Sequence, residues 1–245
     1  MTRFKLLIEY DGGGFVGWQR QDNGLGVQQV VEEAVTAFSG ETTLVQCAGR
    51  TDAGVHAFGQ VAHVDLARDW DGGRAREALN AHLRPYAVSV LGVEAVDDEF
   101  HARYSAIERT YEYRILNRRP PPALQRGHVW WVKRPLDADA MHVAAQELLG
   151  HHDFTSFRAS VCQANSPMKT LDELSVSRRG EMVIITARAR SFLHHQVRNM
   201  VGTLALVGEG KWSSVDVAKA LAARSRPAGG PTAPAVGLFL VQVKY

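Results

Sequence analysis

Two periods of apolar residues run through the first hundred positions. A period of two predicts a half-buried strand, and recurrence at three and four residues predicts the apolar face of a helix. The clearest helical face consists of Val27, Val30, Val31, Ala34, Val35 and Phe38. The predicted elements are a strand at 4–10, a helix at 26–38, strands at 42–47 and 60–66, a helix at 74–83 and a strand at 87–96. This order of elements is that of a ferredoxin-like unit.

The second part of the chain repeats the alternation of strands and helices with insertions. The predicted elements are a strand at 108–116, a helix at 137–150, strands at 171–178 and 181–189, helices at 194–208 and 213–223, a Gly/Pro loop at 226–235 and a strand at 237–245. Units dominated by strands indicate an α+β fold with a mixed or antiparallel sheet.

The periodic pattern breaks at "DDEFHARYSA" (97–106), which predicts a domain boundary there. We therefore expect an N-terminal half at 1–100 and a C-terminal half at 101–245. A chain of 245 residues is long enough for either one large domain or two small ones, each with its own core.

Composition is that of an ordinary globular protein, with 45% apolar and 22% charged residues and a net charge of +2. Arginine makes up 22 of the 28 basic residues, which suits phosphate contacts, although genomic base composition produces the same bias. The two cysteines, Cys47 and Cys162, form no metal or redox motif and are typical of a reducing compartment. The first residues do not resemble a signal peptide, and no apolar run reaches membrane-spanning length, so we expect a cytoplasmic protein with no membrane association.

Positive charge is concentrated between residues 101 and 134, here called the basic segment. It contains eight cationic side chains, against only Glu108 and Glu112: Arg103, Arg109, Arg114, Arg118, Arg119, Arg126, Lys133 and Arg134. Aromatic residues are interleaved with them, namely Tyr104, Tyr111, Tyr113, Trp130 and Trp131. This mixture favours RNA binding through phosphate neutralisation and base stacking, with a solvated strand face over core aromatics as the alternative.

A charged loop, "CAGRTDAGVHA" (47–57), follows the predicted strand at 42–47. Gly49 and Gly54 flank Arg50 and Asp52, so the backbone can turn sharply around them. Such a loop is either a surface turn or a rigid mount for a catalytic carboxylate. An aspartate paired with arginine stays ionised, which suits a nucleophile or an electrostatic stabiliser better than a general acid.

Arg198 lies in the apolar helix pattern of "FLHHQVRN" (192–199). A buried arginine requires an anionic partner, because an unpaired buried charge is very costly. Asp52 is a candidate for that partner. From the residues alone, a structural salt bridge explains the two side chains as well as catalysis does.

Other motifs give weaker signals. The turn "DGGGF" (11–15) lacks the lysine and hydroxyl of a phosphate-binding loop, although Trp18, Arg20 and Gln21 just after it are candidates for contact with a polar ligand. The adjacent histidine pairs at 151–152 and 194–195 do not have the four-residue spacing of metal ligands on a helix. We therefore expect no metal.

Seven motifs together resemble the TruA family of tRNA pseudouridine synthases, and they occur in the family's order. They are "YDGGGFVGWQRQ", "GRTDAGVHA", "EFHARYSA", "RTYEYRI", "DFTSFR", "FLHHQVRNMVGTL" and the terminal "GLFLVQVKY". The resemblance runs from Phe4 to Tyr245. It implies two ferredoxin-like α+β halves that share a central sheet with helices packed on it, a homodimer that binds tRNA, and no metal or organic cofactor. The implied substrate is uridine at positions 38–40 of the anticodon stem-loop.

The resemblance also implies roles for four residues. Asp52 matches the catalytic nucleophile, and Tyr111 matches the tyrosine that stacks on the target base. Arg50 matches an arginine implicated in base flipping, and Arg198 matches the arginine paired with the aspartate.

Two other functions compete with isomerisation. A non-catalytic RNA-binding module of ferredoxin-like type would use Tyr111 and the basic strands without chemistry. An N-glycosidase would hydrolyse the glycosidic bond, but that reaction normally uses two carboxylates, and the loop offers only Asp52.

Overall fold

A computed structural model of the 245-residue chain describes residues 1–160, 162 and 164–245. Within these residues the chain divides into two compact units. Unit 1 comprises Met1–Ile107 and Phe239–Tyr245, and unit 2 comprises Glu108–Leu238. The C-terminal strand therefore belongs, from Phe239 on, to the same unit as the first 107 residues.

Unit 1 contains five strands and two helices. They are β1 (Thr2–Tyr10), α1 (Val27–Ser39), β2 (Gln46–Cys47), β3 (His56–Leu66), α2 (Gly72–Leu83), β4 (Val88–Val96) and β10 (Leu238–Lys244, in this unit from Phe239). β1 pairs antiparallel with both β3 and β4, β2 pairs antiparallel with β3, and β10 pairs parallel with β3. The first four strands thus lie in the order 4-1-3-2, the ferredoxin-like order that the sequence predicts.

Alternating side chains of β1 form one wall of the core of unit 1. Phe4, Leu6, Ile8 and Tyr10 are buried, as the period-two pattern predicts. The helices contribute apolar faces, and α1 covers the predicted stretch to within one residue at each end. Gly40 ends α1 with a φ of +77°, a conformation that glycine adopts without strain.

The described residues of unit 2 form five strands and three helices. They are β5 (Glu108–Asn117), β6 (Trp130–Val132), α3 (Ala138–Ala145), β7 (Gly150–Asp153), β8 (Met168–Arg179), β9 (Met182–Ala189), α4 (Gln196–Gly208) and α5 (Ser214–Ala222). The strands β5, β9, β8 and β7 pair antiparallel in that order, and β6 pairs parallel with β5. Strands and helices in both units confirm the predicted α+β class.

Three local predictions differ from the structure. The predicted strand at 42–47 is reduced to β2, and just before it the Val45 backbone amide donates to Glu32 Oε1 at 3.1 Å instead of to a neighbouring strand. The predicted helix at 137–150 ends at Ala145, and a 3₁₀ turn follows it. β6 and β7 have no counterpart in the predicted elements.

Candidate active site

Four hydrogen bonds to neighbouring segments hold the loop between β2 and β3 in place. The Ala48 amide donates to the Val61 carbonyl at 2.7 Å, and the Gln60 side-chain amide donates to the Gly49 carbonyl at 2.7 Å. Thr51 is bound twice, since its carbonyl accepts from the Trp18 amide at 3.0 Å and its hydroxyl lies 2.8 Å from the Tyr10 hydroxyl. Partners on β1, on β3 and after the glycine-rich turn thus fix the loop on both sides of Arg50.

Two glycines allow the chain to approach this loop closely. A Cβ on Gly12 would lie 2.0 Å from the Val55 carbonyl oxygen, so only glycine fits there without displacing backbone. Gly17, at a φ of +113°, forms a bridge with Asp52 and leaves no room for a Cβ beside the Thr51 carbonyl. The turn "DGGGF" therefore has a packing role beneath the loop.

The charged residues of the loop are more accessible than its uncharged residues Thr51 and Val55. Thr51 and Val55 are buried, whereas Arg50 is exposed and Asp52 is half-buried. The Val55 amide donates to the Asp52 carbonyl at 3.1 Å, which closes a turn that contains Gly54 at a φ of +77°. A half-buried carboxylate on a braced turn can be presented to a substrate in one fixed orientation.

Tyr111 lies on β5, opposite Ala187 of β9. Its side chain is only 9% exposed, and its ring meets the Phe192 ring edge to face at 5.2 Å between centroids. Tyr113, two residues along, shares the same face of the strand, and its hydroxyl donates to the Pro234 carbonyl at 2.7 Å. Burial raises the pKa of Tyr113, and the positive charge of Arg198 opposes that rise.

Arg198 lies in the first turn of α4 and is half-buried. Its Nε donates to the Ala233 carbonyl at 2.9 Å, while the Ala233 amide donates to the Arg198 carbonyl at 3.0 Å. The segment at 226–234 packs tightly on this helix, since a Cβ on Gly202 would lie 1.8 Å from the Pro231 carbonyl oxygen. Arg198 is therefore positioned by the Gly/Pro loop that the sequence predicts.

Comparison with known proteins identifies the family. The family model of tRNA pseudouridine synthases matches residues 6–105 and 144–245. The tRNA pseudouridine synthase A of Rhodospirillum centenum is 64% identical over 245 residues, which cover all of both chains. That of Paramagnetospirillum magneticum is 62% identical over all of this chain and 96% of the relative, and that of Rhodospirillum rubrum is 57% identical over all of this chain and 88% of the relative.

The chain belongs to the tRNA pseudouridine synthase family. The resemblance of the seven motifs is thereby confirmed, and so is an isomerase function that acts on tRNA. Membership of this family does not favour a non-catalytic RNA-binding module. In the described part of the chain, no helix combines the length and apolar character needed to cross a membrane.

The structure corrects the expectation for Trp18, the first of the three residues after the glycine-rich turn that could contact a polar ligand. Trp18 is 1% exposed and belongs to the core, so it cannot contact a ligand. Arg20 pairs with Glu32 at 3.3 Å, and the Gln21 side chain donates to the Val16 carbonyl at 3.1 Å. Both of these side chains are exposed as well as partnered, so their contact with a polar ligand stays a prediction.

The residues that brace the loop, Tyr10 and Gln60, do not stand out in the sequence. Tyr10 fits the apolar alternation of β1, and Gln60 is one of several polar residues within the sequence of β3. Gln60 is fully buried, and a buried polar group needs a partner, so its position inside a strand pattern is the one available signal.

The basic segment is not uniformly available for RNA. Arg109 is buried, Arg114 pairs with Glu112 at 2.7 Å, and Arg118 pairs with Glu181 at 2.8 Å. The exposed cations of the segment are Arg103, Arg119, Arg126, Lys133 and Arg134. These five carry the part of the positive charge that phosphate groups can approach most easily.

Proposed function

We propose that this enzyme converts uridine to pseudouridine at positions 38–40 of the tRNA anticodon stem-loop, with Asp52 as the nucleophile. The observation that supports this most strongly is the braced loop. Four hydrogen bonds and two close glycine contacts hold the loop around one half-buried carboxylate. The motif "GRTD" that carries this carboxylate matches the family's nucleophile motif.

The reaction breaks the N1–C1′ bond of uridine and forms a C5–C1′ bond. C5 loses a proton and N1 gains one, so the mass of the RNA does not change. The base must leave the stacked stem before an enzyme can reach these atoms. Three routes use a carboxylate here, namely attack on C1′, addition to uracil C6, and assistance to loss of the 2′ proton.

The other three site residues have proposed roles in the same reaction. Tyr111 stacks on the target uracil, and its hydroxyl is a candidate to take the C5 proton. Arg50 is exposed on the loop and acts in base flipping. The role of Arg198 as the partner of the nucleophile, and the absence of any metal or organic cofactor, stay predictions.

The proposal includes a cytoplasmic homodimer. The cysteines Cys47 and Cys162 are both free, which fits a reducing compartment. Sedimentation of the purified protein with and without tRNA tests the dimer directly, and a monomer that binds tRNA at full affinity would refute it.

Replacement of the nucleophile tests the proposed function. Asp52→Asn should keep the fold and the tRNA affinity but lower the rate about 10⁴-fold or more, because an amide is not an anionic nucleophile. The measurement is pseudouridine mapping of an unmodified tRNA under single-turnover conditions. Asp69→Asn, an exposed aspartate between β3 and α2, is the matched control and should react at the wild-type rate.

Two results would contradict the proposal. Turnover of Asp52→Asn within tenfold of the wild type would remove Asp52 from the reaction. Free uracil in the wild-type reaction would identify a hydrolase, because isomerisation releases nothing.

A further inference from the structure

Tyr104 is the most exposed of the six tyrosines, with 71% of its surface accessible. It lies in unit 1, in the turn between β4 and β5. An aromatic ring in water forgoes the burial that usually stabilises it. Unit 1 nevertheless holds this ring in a defined position.

His101 organises the turn that carries Tyr104. The Ser105 amide donates to the His101 carbonyl at 2.9 Å, and the His101 amide donates to the Ser105 hydroxyl at 2.9 Å. His101 Nδ1 accepts from the Arg103 amide at 3.1 Å. The Tyr104 ring lies against the His101 ring, with 4.3 Å between centroids and 38° between planes. One face of the tyrosine is thus supported while most of the side chain remains accessible.

The same histidine ties the turn to the strand that leads into the Arg50–Asp52 loop. His101 Nε2 lies 3.2 Å from Gln46 Oε1, and Gln46 precedes Arg50 by four residues on β2 and the loop. Burial lowers the pKa of His101, and the charges of Arg3 and Arg103 act in the same direction. A neutral ring accepts at Nδ1 and donates at Nε2, which matches both sets of contacts.

One cation lies beside the exposed ring. The Arg103 guanidinium lies 5.9 Å from the centre of the Tyr104 ring. An accessible aromatic ring beside an exposed arginine is suited to an unpaired nucleotide, with the base on the ring and the phosphate near the cation.

We propose that Tyr104 and Arg103 form a base-stacking subsite for an unpaired nucleotide of the tRNA, next to the Arg50–Asp52 loop. This subsite rests on the proposed function only in that the ligand is the tRNA substrate. Tyr104 binds and orients the RNA, and it does not touch the reacting atoms.

A series of ring substitutions tests the subsite in the full-length protein with an unmodified tRNA transcript. Tyr104→Phe and Tyr104→Trp keep an aromatic face and should bind within about threefold of the wild-type Kd. Tyr104→Leu keeps apolar bulk without a ring and should raise Kd about 5- to 100-fold, the range expected for loss of one stacked base. Turnover at saturating tRNA should stay within about threefold for all three variants, so that KM changes and kcat does not.

Charge variants test the phosphate contact separately. Arg103→Ala should weaken binding and reduce the slope of log Kd against log salt by about one. Arg68→Ala is the matched control, because Arg68 also lies over an aromatic ring, that of Trp70 at 4.8 Å, but follows the far end of β3. It should leave both the affinity and the salt slope unchanged.

The outcomes separate this subsite from the proposed function. A wild-type enzyme that forms no pseudouridine refutes the proposed function, whereas an active enzyme in which Tyr104→Leu binds tRNA normally refutes the subsite. Equal losses in Tyr104→Phe and Tyr104→Leu would also refute it, because stacking does not need the hydroxyl. Normal tRNA binding by Tyr104→Leu with altered sedimentation would assign the surface to a protein contact instead.

Discussion

Tyr111 combines a ring that can stack on a base with a hydroxyl that can move a proton, and two substitutions separate these properties. Tyr111→Phe should bind tRNA like the wild type, whereas Tyr111→Ala should lose about 1–3 kcal/mol of stacking. If the hydroxyl takes the C5 proton, Tyr111→Phe should also react about 10²–10⁴-fold more slowly. Single-turnover rates at saturating enzyme, together with Kd values from binding titrations, distinguish the two roles.

The alanine variant needs a stability control because Tyr111 is buried against Phe192. Truncation of a buried aromatic residue typically destabilises a fold by about 3–5 kcal/mol. Both variants should therefore be compared below their melting temperatures. Wild-type turnover in both would exclude Tyr111 from the active site.

At the scale of elements, the glycine-rich turn supports the Arg50–Asp52 loop by close contact, and a matched pair of substitutions tests this. Gly12→Ala would place Cβ 2.0 Å from the Val55 carbonyl oxygen and must displace the turn that Val55 closes with Asp52. We expect a rate about 10²-fold lower, because small shifts of a catalytic group are costly, and a loss of about 1–3 kcal/mol in stability.

Gly14 lies in the same 3₁₀ turn, and no atom lies within 4 Å of a Cβ built on it. Gly14→Ala should therefore leave both rate and thermal midpoint unchanged. The comparison requires activity assays and thermal unfolding of both variants. A Gly12→Ala enzyme with wild-type rate and midpoint would show that the turn does not position Asp52.

The stability of the whole molecule should depend on pH through His63. This histidine is buried in unit 1, and its Nδ1 accepts from the Ala102 amide at 3.2 Å. Burial lowers its pKa to about 4, and the positive charges of His101 and Arg3 act in the same direction. The fold therefore prefers neutral His63, and its contribution is complete above the unfolded pKa near 6.5 and is lost as the pH falls toward 4.

When the pH falls from 7 to 5, protonation linked to His63 should lower the free energy of unfolding of the wild type by about 2 kcal/mol. His63→Gln removes this titration, so the free energy of unfolding of the variant should fall by about 2 kcal/mol less than that of the wild type over the same pH range. Urea unfolding at the two pH values measures both. A hydrogen bond from Arg3 lowers the pKa of Asp65, so that carboxylate loses its contribution only below about pH 4 and does not interfere. Equal pH dependence of wild type and variant would contradict the assignment.

The sequence by itself determined the class of the fold, most helix and strand positions, and the family. The boundaries of α1, β5 and α5 agree with the predicted ranges to within about one residue, because periodicity directly records which face of an element is buried. Asp52, Arg50, Tyr111 and Arg198 could be proposed as site residues from the sequence because they stand in distinctive motifs, and their roles stay predictions.

Only the tertiary structure decided which polar groups support the loop and which strands form. Tyr10 and Gln60 lie far along the chain from the atoms they bind, and a local pattern contains no information about such distant partners. The same reason explains the short extent of β2. It forms only at Gln46–Cys47, which pair with His63 and Ala62 of β3. Leu44, just before it, is 59% exposed. Periodicity specifies which face of an element is buried. Long-range packing decides which residues contact that face and which groups bind an isolated polar side chain.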